Sequence, residues 1–402
     1  SKLPLLLLNL RESIMLGNKA KSHSTHTRDN IKRINMVSTF KDSIDGLTDV
    51  SQDNRINNFR LRDIAGSIMN DQRVCKCGKV PTASKVKVNR HINSSKAHYS
   101  GLQTCGSVWV CPVCASKTSE KRRLELSNGT GQWIEMGGEI LLVTLTFPHS
   151  REDSLKTLLK KQAQAAKYFK GRSAYTKHIR SEYEIKGTIR SLETTYSDAN
   201  GWHPHVHELW FVKRGFSIIK LRKQVHEAWA RACVDAGLGR PSIANGVDIK
   251  SGDFAANYVA KWGLDYEIAK AHIKKGKSKT SKTPFQLLDE YDQGDSRAGA
   301  LFREYAEAFK GKRQLFWSRG LKDFFGIEQK SDQELLDEQI EEVVEIITIG
   351  YKDWMHILKH KAQAYILTLV ELRSKHEVYR FINELKNTAP ADSRRHTYAH
   401  AA

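Results

Sequence analysis

Nowhere in the 402 residues does an apolar run approach the roughly 18 residues that a membrane span needs. The opening stretch LPLLLLNL is too short for a span and has no small-residue cleavage site downstream. It reads as a hydrophobic anchor or the remnant of a truncated terminus rather than a signal peptide. The expectation is a cytoplasmic protein with no membrane partner. A phosphate loop for ATP is missing as well. Gly276-Lys277-Ser278 has the right tail, but Ala271 stands where the first glycine belongs, which excludes a Walker-type ATPase. There are no internal repeats, so repeat architectures are excluded. Acidic side chains are in deficit, 45 Asp and Glu against 65 Lys and Arg, for a formal charge of +20 and a pI near 9.6. That excess argues for a polyanionic partner, with nucleic acid the default.

The length exceeds one ordinary domain and is enough to bury a sizeable core. Residues 1–70, rich in Ser, Asn, Lys and Arg, read as a mobile or weakly helical basic arm. Residues 71–130 form a cysteine-bearing segment. Over 131–273, strand-like and helical patterns alternate. EILLVTLTF (Glu139 to Phe147) is a buried strand by its apolar and β-branched content. SLKTLLKKQAQAAKYF (Ser154 to Phe169) is an amphipathic helix. KGTIRSLETTYS (Lys186 to Ser197) and HVHELWFV (His205 to Val212) are strands joined by the turn-rich DANGWHP. A helix over Ser217 to Gly237, a strand-like GVDIK and a helix over Gly252 to Gly263 follow. This order predicts an α+β fold, an antiparallel β-sheet with helices packed on one face. Residues 274–330 begin with a basic loop, KKGKSKTSKTP (Lys274 to Pro284). Residues 331–402 read as helical, with SDQELLDEQIEEVVEII starting at an N-cap Ser331 and showing a solvated acidic face from Asp332 to Glu345.

Five of the six cysteines fall between Cys75 and Cys114. In a cytoplasmic protein such a cluster reads as metal-binding rather than as disulfides. Cys111 and Cys114 make a C-x-x-C knuckle, the spacing with which two thiolates meet one tetrahedral ion. The other pair comes from Cys75, Cys77 and Cys105, with His98 in reserve. A structural Zn²⁺ is expected here, with free thiols as the alternative. Cys233, alone in a helix, is assigned to packing.

NGWHPHVHELWFV (Asn200 to Val212) places His203, His205 and His207 two apart. Residues i and i+2 of a strand share a face, so His205 and His207 point the same way. Glu193 lies in the preceding strand, within a β-branched run that disfavours it. If the two strands pair through the short turn, Glu193 lies beside both imidazoles. A carboxylate with two imidazoles leaves coordination positions open, as catalytic rather than structural metals require. Non-haem iron enzymes use the same set, but in a basic chain a divalent ion such as Mg²⁺ or Mn²⁺ polarising a phosphate is the better match. Downstream, NYVAKW sets Tyr258 and Lys261 on one helical face. A Tyr-x-x-Lys pair by itself is usually a core or interface feature.

LLVTLTFP, HPHVH and YVAK, in that order, resemble the replication initiators of rolling-circle plasmids, in the wider His-hydrophobe-His (HUH) superfamily of single-strand endonucleases. CGSVWVCPVC and KRQLFWSRGLKD (Lys312 to Asp323) also look like a bacterial plasmid initiator, so the resemblance spans about Cys75 to Gly326. It implies an RRM- or ferredoxin-like endonuclease domain that nicks and rejoins single-stranded origin DNA. It further implies His205 and His207 as metal ligands, Glu193 as the acidic third ligand, Tyr258 as nucleophile and Lys261 as its helper. Single-stranded and double-stranded origin DNA, a host helicase and the replication machinery would be partners, and a homo-oligomer is compatible. Some initiators carry a second tyrosine one turn away, and some plasmid relatives a glutamate one turn before the tyrosine. Here Phe254 holds that place, with Asp253 beside it as the candidate for activating termination; Tyr266 lies too far along. Two other readings stay open. One is a transposase or relaxase of the same superfamily, although relaxases usually carry the tyrosine before the histidines. The other is a non-catalytic zinc-finger DNA-binding regulator.

Overall fold

The computed structural model describes residues 50–251, 281–337 and 342–388. Helix α1 (Val50–Ile68) leads through a tight turn to the hairpin β1 (Lys85–His91) and β2 (Ala97–Ser100). Helix α2 (Pro112–Glu135) precedes β3 (Glu139–Leu145), α3 (Leu155–Gly171), β4 (Gly187–Ser197), β5 (Gly201–Val212), α4 (Ile218–Asp235) and β6 (Val247–Ser251). After residue 280 come α5 (Pro284–Asp292), α6 (Ser296–Phe309), β7 (Leu315–Trp317) and the short α7 (Leu321–Phe324). The described chain finishes with α8 (Asp332–Asp337), β8 (Val343–Gly350), α9 (Tyr351–Lys359), α10 (Gln363–Leu372) and α11 (Lys375–Asn387).

The protein is α+β, built on a five-stranded antiparallel sheet in the order β6-β3-β5-β4-β7. Local chemistry starts its helices where the chain needs them. Ser154 accepts a hydrogen bond from the Thr157 amide at the start of α3, and Ser217 does the same from Lys220 at α4. Thr283 and Gln286 form a reciprocal capping box, with Pro284 in the first turn of α5. The β4–β5 turn is tight because Gly201 has φ +71° and its missing Cβ lets the Arg151 backbone approach.

Alternation along β3 and β5 divides the sheet's two faces. Leu141, Val143, Leu145, Val206 and Trp210 join Leu158, Phe169, Val225 and Trp229 of α3 and α4 in the main core. Cys233 lies in that core too, and burial pushes its thiol up to about 12. The opposite face is divided along its length into an apolar and a polar part. Ile140, Ile189, Leu209 and Phe211 pack there under Leu126 of α2, Trp317, Leu321 and Phe325. The rest of that face carries Thr144, Ser191, Glu193 and the histidines.

A second, three-stranded sheet runs β2-β1-β8. Here the protein departs from the expected helical tail: β8 covers VVEIITIG, so the helix read from Ser331 onward gives way to a strand antiparallel to β1. The β-branched run outweighs the acidic pattern because Val86 and Val88 offer Ile347 and Ile349 an apolar partner face. The segment around the cysteines and the C-terminal region, separate in the sequence reading, therefore share one core with Trp354, Ile366, Val378 and Phe381. The basic arm is also corrected over its described part. Helix α1 buries Leu61, Arg62 and Ala65 completely, and Arg55 makes a two-pronged pair with Glu371 of α10 at 2.7 and 2.6 Å. Residues 1–49 lie outside the described residues, as do the predicted helix over Gly252 to Gly263 and most of the basic loop. No helix among the described residues is long and apolar enough to cross a membrane.

Candidate metal centres and catalytic site

Two groups of side chains could hold a metal ion among the described residues. The first is Cys77, Cys105, Cys111 and Cys114, all buried and with their sulfurs within 4.8 Å of one another. Cys77 Sγ lies 3.6 Å from Cys114 and 3.7 Å from Cys111, and Cys105 Sγ lies 3.7 Å from Cys114. Four thiolates bound to one tetrahedral ion at about 2.3 Å would stand about 3.8 Å apart, so the sulfurs present fit one ion. The Cys105 amide also donates to Cys77 Sγ at 3.4 Å, a contact that favours thiolate. Hydrogen bonds from Cys105, Cys111 and Cys114 hold Cys77 far below the ordinary thiol range, whereas burial pushes Cys111 well above it. Such a pocket cannot hold four anions without a cation among them.

Cys75 stays outside the group, half-buried. The difference is in the residue that follows. Cys77 and Cys105 each precede a glycine in the left-handed region, Gly78 at φ +64° and Gly106 at φ +68°. Those glycines let the chain turn so that the sulfur faces inward. Cys75 precedes Lys76, and its backbone lies against Gly66 of α1 instead. His98 is not part of the group either. It packs against His91 with ring centroids 4.6 Å apart, and burial, Lys117 and His91 hold it down at about 4.

The second group is Glu193, His205 and His207. Register places Glu193 directly opposite His205 across the β4–β5 ladder, with His207 one pleat further along. Glu193 Oε2 lies 3.6 Å from His205 Nε2 and 3.5 Å from His207 Nε2. The remaining atoms are oriented by neighbours. His205 Nδ1 lies 3.1 Å from the His203 carbonyl, which can only accept, so Nδ1 carries the proton. The Nε2 lone pair of neutral His205 then faces a carboxylate. Acceptor facing acceptor is reconciled by a cation between them or by protonation, and the donor set fits a cation. Thr144 Oγ1 holds His207 Nδ1 at 2.9 Å, and Ser191 Oγ donates to Glu193 Oε1 at 3.1 Å. Burial opposes charge on His205, but Glu193 overcomes it and raises the imidazole; burial wins at His207, which is lowered.

His149 and His203 extend the row of imidazoles. His149 Nδ1 faces the Asn200 carbonyl at 3.1 Å, so its Nε2 accepts from His203 Nδ1 at 2.6 Å. Burial, His205 and His149 together depress His203 to about 4. The sequence reading did not assign roles to Thr144, Ser191 or His149. Thr144 lies near the end of β3 and His149 in the loop just after it, and their contacts with β5 would have been needed to find them. Tyr258, Lys261 and Asp253 lie outside the described residues, as do Phe254 and Tyr266.

Residues 99–366 match the family model described as Replication protein. The chain belongs to the replication protein family. This replication protein is similar to the Protein rep of Streptomyces lividans, 27% identical over 57% of this chain and 65% of that protein. It is also similar to the neomycin resistance protein of Streptomyces cyanogenus, 29% identical over 28% of this chain and 31% of that one. The chain thus spans less than two thirds of these relatives' own lengths. No solved structure gives a significant match. The matched region contains three of the four clustered cysteines and the whole Glu193–His205–His207 group.

Proposed function

We propose that this replication protein is a metal-dependent, site-specific single-strand DNA endonuclease and strand transferase that initiates rolling-circle replication of a bacterial plasmid in the cytoplasm. The observation that carries the reading is the Glu193–His205–His207 group, three ligand atoms together on one face of an antiparallel sheet, in a chain of this family and of charge +20. These three residues would hold Mg²⁺ or Mn²⁺, which when bound supplies Lewis-acid polarisation of a phosphate oxygen. Cys77, Cys105, Cys111 and Cys114 would hold a structural Zn²⁺, a soft thiolate set matched to that ion.

The nucleophile we assign is Tyr258. It follows Ser251, the last residue of β6, by seven positions. Asp248, opposite Thr144 and hence next to the histidines, is about 10 Å from Ser251 along the strand. Seven residues of chain can reach at most about 25 Å, so the tether allows Tyr258 to return to the group. Its phenol, with an ordinary pKa of about 10, is about 0.1% ionised at neutral pH and needs activation. The phenolate oxygen forms a bond to phosphorus, the bond to the 3′ oxygen breaks, and that oxygen takes a proton. Lys261 steadies the charge on the phosphate. The product is a 5′-phosphotyrosine with a free 3′-hydroxyl. One phosphate ester replaces another, so no ATP is required, and a host helicase would open the duplex. For termination, the partner is a second protomer's Tyr258 or water activated by Asp253.

The test is incubation with single-stranded origin DNA and Mg²⁺ or Mn²⁺ followed by a denaturing gel. Wild type should form a covalent adduct. Tyr258→Phe should lose it while binding DNA nearly as before. An adduct that persists in this variant moves the nucleophile, to Tyr266 first. DNA binding by wild type without any adduct would favour the non-catalytic zinc-finger regulator, and cleavage only of mobile-element ends would favour a transposase or relaxase.

A further inference from the structure

His149, in the loop between β3 and α3, takes no part in the chemistry above, yet it is held firmly against β5. The loop that delivers it is a built one. Asp153 Oδ2 accepts from the Ser150 amide at 2.8 Å and from Ser150 Oγ at 3.0 Å. The Arg151 backbone lies against the open Cα of Gly201, which seats the loop on the β4–β5 turn. From there His149 meets two partners, the Asn200 carbonyl 3.1 Å from its Nδ1 and His203 Nδ1 2.6 Å from its Nε2.

These contacts fix where two protons sit. A carbonyl can only accept, so His149 Nδ1 carries the proton and its Nε2 has a lone pair. His203 Nδ1 is then the donor in the short contact, and the lone pair of His203 falls on Nε2. That nitrogen has no hydrogen-bond partner among the described residues and is not sealed in the interior. It stands on the face of the metal-ligand group, because His203, His205 and His207 alternate with Pro204 and Val206 along β5. The ring centroids of His203 and His205 are 5.3 Å apart.

His203 nevertheless falls outside the group whose ligand atoms lie within 4.8 Å of one another. Two atoms bound to one ion at about 2.1 Å stand at most about 4.2 Å apart, so His203 is too distant for a direct bond. A hydrated ion reaches further. Octahedral Mg²⁺ or Mn²⁺ with three protein ligands has positions left for water. Water on a cation is a strong donor, and a fixed lone pair one pleat away can accept from it.

We infer that His149 is a positioning residue of the ion site: it locks His203 in the tautomer whose Nε2 accepts from a hydration water of the ion held by Glu193, His205 and His207. The inference rests on the metal assignment above, and not on Tyr258, cleavage or DNA.

The test is calorimetric titration of the full, zinc-containing chain with Mn²⁺ alone, together with nitrogen hyperfine spectroscopy of the bound Mn²⁺. His203→Ala should weaken Mn²⁺ affinity by on the order of 10-fold or more, the loss expected for an outer partner of a metal site. Its spectrum should keep the two directly bound nitrogens of the wild type. His149→Ala should cost roughly 2- to 10-fold, the worth of one neutral hydrogen bond. His149→Gln should restore affinity, because an amide can accept from His203 and donate to the Asn200 carbonyl. A merely structural role for His149 would not distinguish Gln from Ala in this way, and a failed rescue overturns the tautomer lock. Unchanged Mn²⁺ affinity in both alanine variants overturns the inference and spares the Glu193–His205–His207 assignment. A third bound nitrogen that disappears in His203→Ala makes His203 a direct ligand and overturns the water-mediated role. A wild type that binds no Mn²⁺ overturns the metal assignment and the inference together.

Discussion

Four sulfurs converge behind walls that leave none of their residues more than 7% exposed. Some distance along the chain, Glu193, His205 and His207 converge on a sheet face that leaves the glutamate side chain one-third exposed. The cysteine group is a complete tetrahedral set, with no side left for another ligand. The Glu-His-His group supplies three ligand atoms, held by Thr144, Ser191 and the His203 carbonyl, and keeps a side open. The cysteines also bind remote segments to one another. Trp109, in the loop between Cys105 and Cys111, donates to the Lys312 carbonyl at 2.7 Å and packs on Phe309 of α6. The histidines stand on strands that a ladder and two cores already hold. A metal in the first place would stabilise the fold; a metal in the second would act on something that arrives.

That contrast can be broken most severely at the cysteines. Cys114→Ser should remove tightly bound zinc, about one per chain in the wild type, and lower the melting temperature by on the order of 10 °C or more. Metal analysis of washed protein together with thermal unfolding reads both. A wild type without zinc and with all thiols freely titratable would undo the assignment. The counterpart at the open site is the double variant His205→Ala, His207→Ala. It should abolish metal-dependent cleavage and lower Mn²⁺ affinity while keeping the zinc and shifting the melting temperature by only about 3 °C or less. Titration calorimetry with an unchanged Mn²⁺ affinity would count against these ligands. Glu193→Ala should act in the same direction more mildly, since water can take a lost carboxylate position. The smallest effect sharpens the boundary of the closed site: Cys75→Ser should leave zinc content and stability at wild-type values. Loss of zinc in that variant would mean that Cys75 exchanges into the set.

Much of the Glu193–His205–His207 site is legible in the sequence alone. Period-two alternation puts His205 and His207 on one face whatever the strand's neighbours are, and the short turn after Ser197 leaves β4 little choice but to pair with β5. Glu193 opposite His205 follows from that register. The helices α3 and α4 announced themselves through amphipathic spacing and serine caps. Other features were not legible, each for a reason. VVEIITIG reads equally as the end of an acidic helix or as a strand, because a short apolar run has no period of its own. The choice came from β1, some 250 positions earlier in the chain.

By itself the sequence determined the features that depend on local periodicity and composition: the positive charge, the α+β order of elements, the shared face of His205 and His207, and a cysteine cluster with metal-ligand spacing. Tertiary structure alone decided the rest. It selected Cys77 over Cys75, because the inward turn of a sulfur depends on left-handed glycines and on what packs behind them. It joined the N-terminal hairpin to the C-terminal region through β8, and it brought Thr144 of β3 and Ser191 of β4 against the ligand side chains. Each of these depends on contacts between residues far apart in the chain, where local propensity is a fraction of a kilocalorie and burial of whole side chains, about 1.5–3 kcal/mol each, settles the outcome.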